Sequence, residues 1–381
     1  MLKRFELKNY KNFKDGIVVD FSKTGGYQYN TDCILNDTIG KMLIYGKNAS
    51  GKTNLGRAMM DLYFEMLGII YPYDSNLVNA DSIDDFIDFS YNFIFEGIEV
   101  NYNYSKKENG NLRFEKLYID NIKIFECDYN EDFFDFENLD YIGAETINAE
   151  RYKQVNYRDN NDKTKTRIFF LRWLLANTAF DNNSVMIKFQ SYIESMSIFS
   201  VSSLFDYKIR PLYERFYDIL EDKRELNELE KFINEMGINC KLAVKKLPDG
   251  HNELYFKHKK LIPFMENASS GTVALLNLYF GFIRNLRSNS FVYLDEFDAF
   301  YHYEMADKLV QYFKKSFKDT QIIMTTHNTN LMTNRIMRPD CIFILSSWGS
   351  LTALCDATER ELREGHNLEK MYISGEFEKY E

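Results

Sequence analysis

A glycine-rich octapeptide at positions 46–53, GKNASGKT, constrains the fold of this chain more than any other segment. It follows the pattern Gly-x-x-x-x-Gly-Lys-[Ser/Thr], in which the glycines allow backbone N–H groups to converge on a phosphate at the start of a helix. The preceding run KMLIY is apolar, as in a buried strand, and apolar residues recur at helical spacing in the following LGRAMMDLYFEML. Strand, loop and helix in this order predict an α/β fold with a site for a nucleoside triphosphate.

Each residue type in this segment, the phosphate loop (Gly46–Thr53), has an expected task. Lys52 supplies positive charge to the outer phosphates and is a predicted catalytic residue, and the Thr53 hydroxyl is a predicted ligand for Mg²⁺. ATP is favoured over GTP, because neither Asn-Lys-x-Asp nor Thr-Lys-x-Asp, the tetrapeptides that read guanine, occurs. The predicted nucleotide contacts from the loop and the residue after it are Gly46, Asn48, Ala49, Ser50, Gly51, Lys52, Thr53 and Asn54.

Two adjacent carboxylates, called the acid pair (Asp295 and Glu296), follow the apolar run FVYL. Ligands bind at the carboxyl ends of strands in open α/β sheets, so the acid pair is expected to face the phosphate loop. Asp295 would hold Mg²⁺ through water, and Glu296 would orient or deprotonate the water that attacks the γ-phosphate. An apolar run followed by Asp-Glu also occurs in surface turns, so this assignment depends on the neighbouring motifs.

Two further segments, at suitable distances along the chain, support the assignment of the acid pair to the site. His327 lies 32 residues after Asp295, at the end of the apolar run QIIMTT, and is predicted to bring a catalytic imidazole to the same sheet edge. Ser269, Ser270 and Gly271 form a small polar turn, called the signature turn, which opens a helix. Their hydroxyl and backbone groups form either an anion site for the nucleotide or an ordinary helix N-cap, and the residues alone leave both open.

Hydrophobic periodicity changes several times along the chain. Residues 2–21 and 86–126 alternate apolar and polar side chains, which predicts a strand pair and an antiparallel β meander. Helical spacing runs from about 163 to 236, and after 238 strands alternate with helices, as in a parallel sheet. The predicted division is an N-terminal lobe (1–150), a helical insertion (151–240) and a C-terminal lobe (241–381).

The formal net charge of −10 excludes nucleic-acid binding by the surface as a whole. The run 151–172 is a local exception with seven Lys or Arg and two Asp, although a solvated helix face is the more common origin of such a run. No segment approaches the roughly 18 uncharged apolar residues of a membrane helix, and the charged start MLKRFELKNYKNF is not a secretory signal. We expect a cytoplasmic protein that does not contact a membrane.

The order of these motifs resembles that of ABC-type ATPase heads, including the SMC, Rad50, RecF and OLD-like proteins. It is most similar to the AAA_15/AAA_21 group of bacterial ATP-binding proteins, many of which are associated with phage defence. The resemblance covers about 1–150 and 240–381 and rests on NYKNFKD, IYGKNASGKTNL, NASSGTVALLNL, VYLDEFDAFYH, IMTTHNTNLM, MRPD and YISGEF. It implies a P-loop NTPase fold, a mixed sheet with flanking helices and an antiparallel β meander, interrupted by the helical insertion.

The resemblance also implies that two copies close head to tail over ATP. In that arrangement Ser269, Ser270 and Gly271 of one subunit cap the γ-phosphate held by the phosphate loop of the other. Asp298 resembles the start of a loop that crosses this interface. His302 stands where the group often carries a histidine, and no role follows for it.

The γ-phosphate sensor of these families has no single counterpart here. Gln154 is the nearest glutamine after the predicted meander, and Glu145 or Glu150 could take its place. The three residues stay alternatives at this point.

Two functions from different classes are compatible with these residues. In the first, the chain is an ATP-hydrolysing sensor or regulator in an antiphage or toxin-type system, where ATP-driven dimer closure controls an effector protein encoded nearby. In the second, it is a nucleic-acid clamp of the SMC or RecF kind that contacts phosphates through 151–172 and neighbouring helices. The negative net charge favours the first.

Overall fold

The computed structural model describes residues 1–69, 77–108, 110–156, 167–200, 216–284 and 290–381. In these ranges no helix has the length and hydropathy that crossing a bilayer requires. The strands, in chain order, are β1 (Leu2–Lys8), β2 (Ile17–Asp20), β3 (Ile34–Leu35), β4 (Thr38–Ile39), β5 (Lys41–Tyr45), β6 (Phe86–Phe95), β7 (Ile98–Lys107), β8 (Leu112–Ile119), β9 (Ile122–Asp128), β10 (Phe133–Asp135), β11 (Met196–Ser200), β12 (Leu242–Lys246), β13 (Asn252–Lys257), β14 (Leu261–Pro263), β15 (Phe291–Asp295), β16 (Gln321–Thr326), β17 (Ile342–Leu345) and β18 (Leu351–Ala353). The helices are α1 (Lys52–Met59), α2 (Asp61–Leu67), α3 (Ala149–Asn156), α4 (Phe170–Asn177), α5 (Val185–Glu194), α6 (Lys223–Glu235), α7 (Phe264–Asn267), α8 (Ser270–Leu278), α9 (Tyr303–Ser316) and α10 (Leu368–Ile373).

Seven strands form an antiparallel sheet in the order β10-β9-β8-β7-β6-β1-β2. Along β6 every second residue is buried, and β6 to β9 form the predicted meander. The β6–β7 hairpin turns at Glu96 (φ 53°) and Gly97 (φ 89°), two left-handed residues typical of a type I′ turn. Asp120 (φ 47°) and Asn121 (φ 64°) make a similar turn between β8 and β9 without a glycine. The predicted strand pair, β1 and β2, and the meander are therefore parts of one sheet.

The second large sheet has the order β11-β15-β16-β5-β17-β18 and is parallel except for its last pair. Its strands β5, β15 and β16 are buried along their whole length, as strands covered on both faces are. Because parallel strands end at one edge, Gly46, Glu296 and His327 follow the carboxyl ends of three neighbouring strands. The predicted α/β architecture of a mixed sheet, flanking helices and a β meander is confirmed.

The predicted insertion (151–240) is not helical throughout its described residues. It contains α4, α5, α6 and most of α3, but Met196–Ser200 forms β11, which pairs in parallel with β15 along its whole length, so the helical prediction is wrong at this segment. The run MSIFS is too short for its periodicity to distinguish strand from helix, and its partner strand lies far along the chain. This segment therefore supplies an edge strand of the sheet that carries the acid pair. The lobe boundaries themselves stay a prediction.

One buried amide joins the two large sheets. Gln321, the first residue of β16, accepts hydrogen bonds from the Leu2 N–H (2.9 Å) and the Tyr192 hydroxyl (2.7 Å). Its own amide N–H donates to the Leu2 carbonyl (2.9 Å). Since Leu2 begins β1 and Tyr192 lies on α5, a single side chain fixes the parallel sheet against the antiparallel sheet and against this helix.

Candidate nucleotide-binding and active site

The phosphate loop leaves β5 and enters α1 with strongly turned backbone. Ala49 (φ 64°) and Gly51 (φ 99°) are both left-handed, and a φ of this size at position 51 favours glycine. The Gly46 N–H donates to the Thr326 carbonyl (3.2 Å), which anchors the start of the loop to β16. Asn48 and Ala49 are exposed, so the crest of the loop faces solvent while both of its ends are fixed in the sheet and the helix.

Lys52 is buried at the start of α1. Its ammonium donates to the carbonyls of Gly46 (2.7 Å) and Lys47 (3.0 Å), so the side chain curls back across the loop. Burial lowers the pKa of Lys52, and three nearby carboxylates, of which Glu296 has the largest influence, act in the opposite direction. The ammonium therefore lies between the loop and the carboxyl end of β15, which is the position that a triphosphate held by the loop would require.

Thr53 and Asp295 meet across the sheet edge, although 242 residues separate them in sequence. The Thr53 hydroxyl donates to Asp295 Oδ2 at 2.7 Å. Burial raises the pKa of Asp295, and hydrogen bonds from the hydroxyls of Thr53 and Thr325 oppose this effect. A hydroxyl beside a carboxylate is an all-oxygen donor pair of the kind that Mg²⁺ prefers. These two residues could hold Mg²⁺, which when bound neutralises negative charge on the β- and γ-phosphates.

Thr325 orients both members of the acid pair, and no sequence motif singled it out. Its hydroxyl donates to Asp295 Oδ1 (3.0 Å) and accepts from the Glu296 N–H (2.8 Å). Thr325 is fully buried within β16, where a polar side chain requires partners of this kind. A threonine hydroxyl directly after the apolar residues of this strand, two positions before the predicted His327, was the signal that the sequence offered.

Glu296 leaves β15 in a left-handed conformation (φ 48°), which is uncommon for a residue with a Cβ. Such backbone persists where surrounding contacts hold it, and here the contact is the hydrogen bond from its N–H to Thr325. Burial lowers the pKa of Lys52, and the half-buried Glu296 side chain is near enough to that amine to oppose this effect. The carboxylate thus lies beside the group expected to bind the outer phosphates.

Asp298 and His327 lie on the neighbouring part of the same edge. The Thr326 hydroxyl donates to Asp298 Oδ2 (2.8 Å), and within the described ranges Asp298 Oδ1 is buried without a hydrogen-bond partner. Burial raises the pKa of Asp298, the Thr326 hydroxyl opposes this effect, and His327 is close enough to oppose it as well. His327 itself is exposed at the end of β16. The structure therefore brings the predicted imidazole to the edge that also carries the acid pair.

The signature turn makes its described contacts within its own helix and with the loop after the acid pair. Ser269 is the N-cap of α8, and its hydroxyl accepts from the Thr272 N–H (3.2 Å). Ser270 is exposed. Gly271 packs against the loop after the acid pair, where an added Cβ would lie 3.0 Å from the Phe300 carbonyl. Among the hydrogen bonds of the described residues, none joins this turn to the phosphate loop. The N-cap interpretation therefore holds for Ser269 within one chain.

The candidate γ-phosphate sensors lie apart from these contacts. Gln154 and Glu150 are exposed on α3, where Glu150 pairs with Lys153 (3.0 Å), and Glu145 is exposed before that helix. His302 is the exposed residue before α9 and makes no side-chain cap to it. The structure brings none of these four residues into a hydrogen bond with the phosphate loop, as far as the described ranges extend.

Asn12 is a contact of the phosphate loop that the sequence analysis did not assign. It lies between β1 and β2, in the segment NYKNFKD. Its amide N–H donates to the Ser50 carbonyl (3.1 Å), and its carbonyl oxygen accepts from the Asn54 amide (2.8 Å). Asn54, predicted as a nucleotide contact, thus bonds to Asn12. The connection between β1 and β2 of the antiparallel sheet therefore holds the phosphate loop through the Asn12 side chain.

The basic run 151–172 is described only in part. Lys163 and Lys165 lie outside the described residues. Arg167 donates to the Leu112 carbonyl (3.1 Å), and its guanidinium lies over the Tyr129 ring, 5.1 Å from the centroid. This cation therefore takes part in contacts within the fold.

The site has the parts of a P-loop ATPase domain. A glycine-containing loop with a buried lysine joins a buried strand to a helix, and a hydroxyl of this helix meets a carboxylate at the end of a strand in the same sheet. Residues 41–333 match the family AAA_21, described as "AAA domain, putative AbiEii toxin, Type IV TA system". This match spans well over half of the chain, and the protein belongs to that family. The predicted relationship to the AAA_21 group is confirmed. No curated protein matches the chain.

Several solved structures of SMC head domains are similar to the chain. An SMC head bound to the C-winged helix domain of ScpA is 17% identical over 90% of this chain and 93% of its own, with a TM-score of 0.46. The head from Thermotoga maritima is 16% identical over 92% and 98%, with a TM-score of 0.46. The head from Pyrococcus furiosus, bound to the C-terminal domain of ScpA, is 16% identical over 93% and 96%, with a TM-score of 0.47.

Replacing Thr325 by Val is expected to lower ATPase activity about 10- to 100-fold, because the acid pair loses the hydroxyl that orients it and a hydrogen bond to a charged group contributes about 1.5–3 kcal/mol. Valine keeps the branched shape that β16 accommodates but leaves Asp295 Oδ1 and the Glu296 N–H without this partner. Thr325→Ser retains the hydroxyl and should keep most of the activity. Steady-state rates at saturating Mg²⁺-ATP, with circular dichroism for folding, test this. Equal rates in the Val and Ser variants would contradict the orienting role.

Proposed function

We propose that the chain hydrolyses ATP at the site formed by the phosphate loop and the acid pair. The hydrogen bond between Thr53 and Asp295 carries the proposal, because it brings two predicted Mg²⁺ ligands to one point beside the buried Lys52. Membership of an ATPase-type family supports the same conclusion.

In this proposal each group has one task. The backbone N–H groups of the phosphate loop and the Lys52 ammonium bind the triphosphate and fix the position of its γ-phosphorus. Glu296 accepts a hydrogen bond from the attacking water and takes its proton as the water oxygen bonds to phosphorus and the bond to the ADP oxygen breaks. His327 donates a hydrogen bond to the γ-phosphate and stabilises its charge. The products are ADP and phosphate.

The proposed active form is a dimer in which two copies close head to tail over ATP. Exposure of Ser270 at the N-terminus of α8 supports this arrangement, because a helix N-terminus attracts anions and this one does not bond to the phosphate loop of its own chain. In the dimer Ser269, Ser270 and Gly271 of one copy would contact the γ-phosphate held by the other.

The proposed biological role is that of a sensor or regulator whose ATP-driven closure controls an effector protein in an antiphage or toxin-type system. The family description, which includes a toxin and a toxin–antitoxin system, supports this role. The net charge of −10 also favours a protein effector over a nucleic acid.

Mixing two inactive variants tests the shared site. Lys52→Ala removes the phosphate-binding lysine, and Ser270→Arg blocks the signature turn, so each homodimer should lack ATPase activity. In a 1:1 mixture half of the dimers are heterodimers with one intact site of two, and about a quarter of the wild-type rate should return.

A double variant carrying both substitutions, mixed with Ser270→Arg, is the matched control, because no intact site can form in any of its dimers. Its rate should stay at background. Failure of the Lys52→Ala and Ser270→Arg mixture to exceed this control would count against a site shared between subunits.

A further inference from the structure

Trp348 is one of the most exposed large apolar side chains of the described residues, with 86% of its surface accessible. It occupies the turn between β17 and β18. The turn is closed by hydrogen bonds from the Ser350 N–H to the Ser346 hydroxyl (2.9 Å) and from the Gly349 N–H to the Ser346 carbonyl (3.1 Å). A large aromatic ring is thus presented to solvent from a backbone that is itself well fixed.

This turn lies directly beside the phosphate loop. β17 is the parallel neighbour of β5, and Ile344 stands opposite Tyr45, the residue before the loop. The next residues of the two segments, Gly46 and Leu345, are also neighbours, because a Cβ placed on Gly46 would lie 3.2 Å from the Leu345 carbonyl. Trp348 follows three residues after Leu345, so the turn projects from the sheet edge at which the phosphate loop begins.

Two further contacts connect the turn to the loop. Gly349 packs against the segment that holds Asn12, with an added Cβ 3.5 Å from the Asn12 carbonyl, and the Asn12 side chain bonds to Ser50 and Asn54 of the site. On the other side, the Ser347 N–H donates to the Glu381 carbonyl (3.1 Å), and the Glu381 carboxylate pairs with Lys47 of the loop. The backbone on both sides of Trp348 is therefore fixed relative to the phosphate loop.

The order of the strands indicates which end of a bound nucleotide faces this turn. The acid pair and His327 follow β15 and β16, on one side of β5, so the γ-phosphate end belongs to that side. β17 lies on the other side of β5. In the binding mode that we infer from this order, the phosphates leave the loop toward β15 and β16, and the ribose and base extend toward β17, where Trp348 is exposed.

We propose that Trp348 stacks on the base of the nucleotide whose phosphates bind the phosphate loop. This inference rests on the proposed nucleotide site and adds its base contact. An indole offers a large flat surface, and stacking on an aromatic side chain accommodates every base, so Trp348 contributes affinity more than discrimination between bases.

The first measurement is the emission of Trp348 in the full chain carrying Trp173→Phe. Trp173 and Trp348 are the two tryptophans of the chain, so the variant has one fluorophore. The protein is titrated with Mg²⁺-ATP and, separately, with Mg²⁺-tripolyphosphate, which has the phosphates but no base. ATP should change the emission of Trp348, whereas tripolyphosphate should bind without changing it.

The second measurement is the affinity for the same two ligands by calorimetry. Trp348→Ala should weaken ATP binding about tenfold, the loss of one base–aromatic stack, and should leave tripolyphosphate binding unchanged. Trp348→Phe is the matched variant, since it retains a ring and should keep most of the ATP affinity. Because the side chain is exposed, neither change removes a core contact.

The outcomes separate this inference from the proposed function. The stacking is overturned, while the nucleotide site stands, if Trp348→Ala leaves the ATP affinity unchanged. The same follows if this substitution lowers the affinities for ATP and for tripolyphosphate equally. An emission change with both ligands that grows with protein concentration would assign Trp348 to a contact between two copies and would also overturn it. If neither ligand binds the unsubstituted chain, the nucleotide site itself fails.

Discussion

Glu296→Gln is expected to slow ATP hydrolysis about 10²- to 10⁴-fold while ATP binding is retained, which is the usual contribution of a positioned general base. Glutamine has the size of glutamate and still bonds to water, but its amide cannot take the proton of the attacking water. The backbone turn is preserved, because Thr325 accepts from the N–H of residue 296 and not from its side chain. Slow turnover with intact binding should accumulate an ATP-bound dimer, measurable by size-exclusion chromatography with Mg²⁺-ATP.

Glu304→Gln is the matched control for this substitution. Glu304 is exposed in the first turn of α9, eight positions along the chain from Glu296, and it takes no part in the contacts of the site. Its variant should hydrolyse ATP at the wild-type rate. A wild-type rate in the Glu296 variant as well would mean that another residue positions the water, and Asp298, a third carboxylate near Lys52, would be the next to test.

Lys52→Ala is expected to weaken ATP binding about 100-fold or more, since a hydrogen bond to a charged group contributes about 1.5–3 kcal/mol and the proposed site gives the Lys52 ammonium more than one bond to the outer phosphates. The ammonium is buried and bonded to the carbonyls of Gly46 and Lys47, so it is already oriented over the loop. ATP that binds only the folded protein raises the melting temperature of the protein, and this increase should vanish in the Lys52→Ala variant. The melting temperature of each protein without nucleotide is the reference from which its increase with ATP is measured.

The same loop provides the control, Lys47→Ala. The Lys47 side chain is largely exposed and its ammonium pairs with Glu381, so it serves the surface of the loop rather than its interior. Its removal should leave ATP affinity close to that of the wild type. An equal loss in both variants would show that binding depends on the total positive charge of the loop and not on the position of Lys52.

The strands that end at the site could be predicted because each is a short apolar run with a chemical motif at its carboxyl end. β5 precedes the phosphate loop, β15 precedes Glu296, and β16 precedes His327, and parallel pairing then brings the three ends to one edge. The β meander could also be predicted, because β6 alternates buried and half-buried residues without interruption.

The missed features are those whose partners lie far along the chain. β11 is a strand because β15 accepts it as a neighbour, and MSIFS alone does not specify that pairing. Thr325 orients the acid pair through two hydrogen bonds that cross from one strand to the next. Asn12 reaches the phosphate loop from the β1–β2 connection, and nothing in its own segment indicates this contact.

By itself, then, the sequence determined the kind of protein: an α/β domain with a phosphate loop, an acid pair and a histidine at successive strand ends. Only the tertiary structure decided which polar atoms meet, namely Thr53 with Asp295, Thr325 with the acid pair, and Asn12 with the loop. The physical reason is the difference between distance along the chain and distance in space. A motif and its secondary structure depend on neighbours along the chain, whereas a hydrogen bond requires two groups within about 3 Å in space, a distance that sequence separation does not encode.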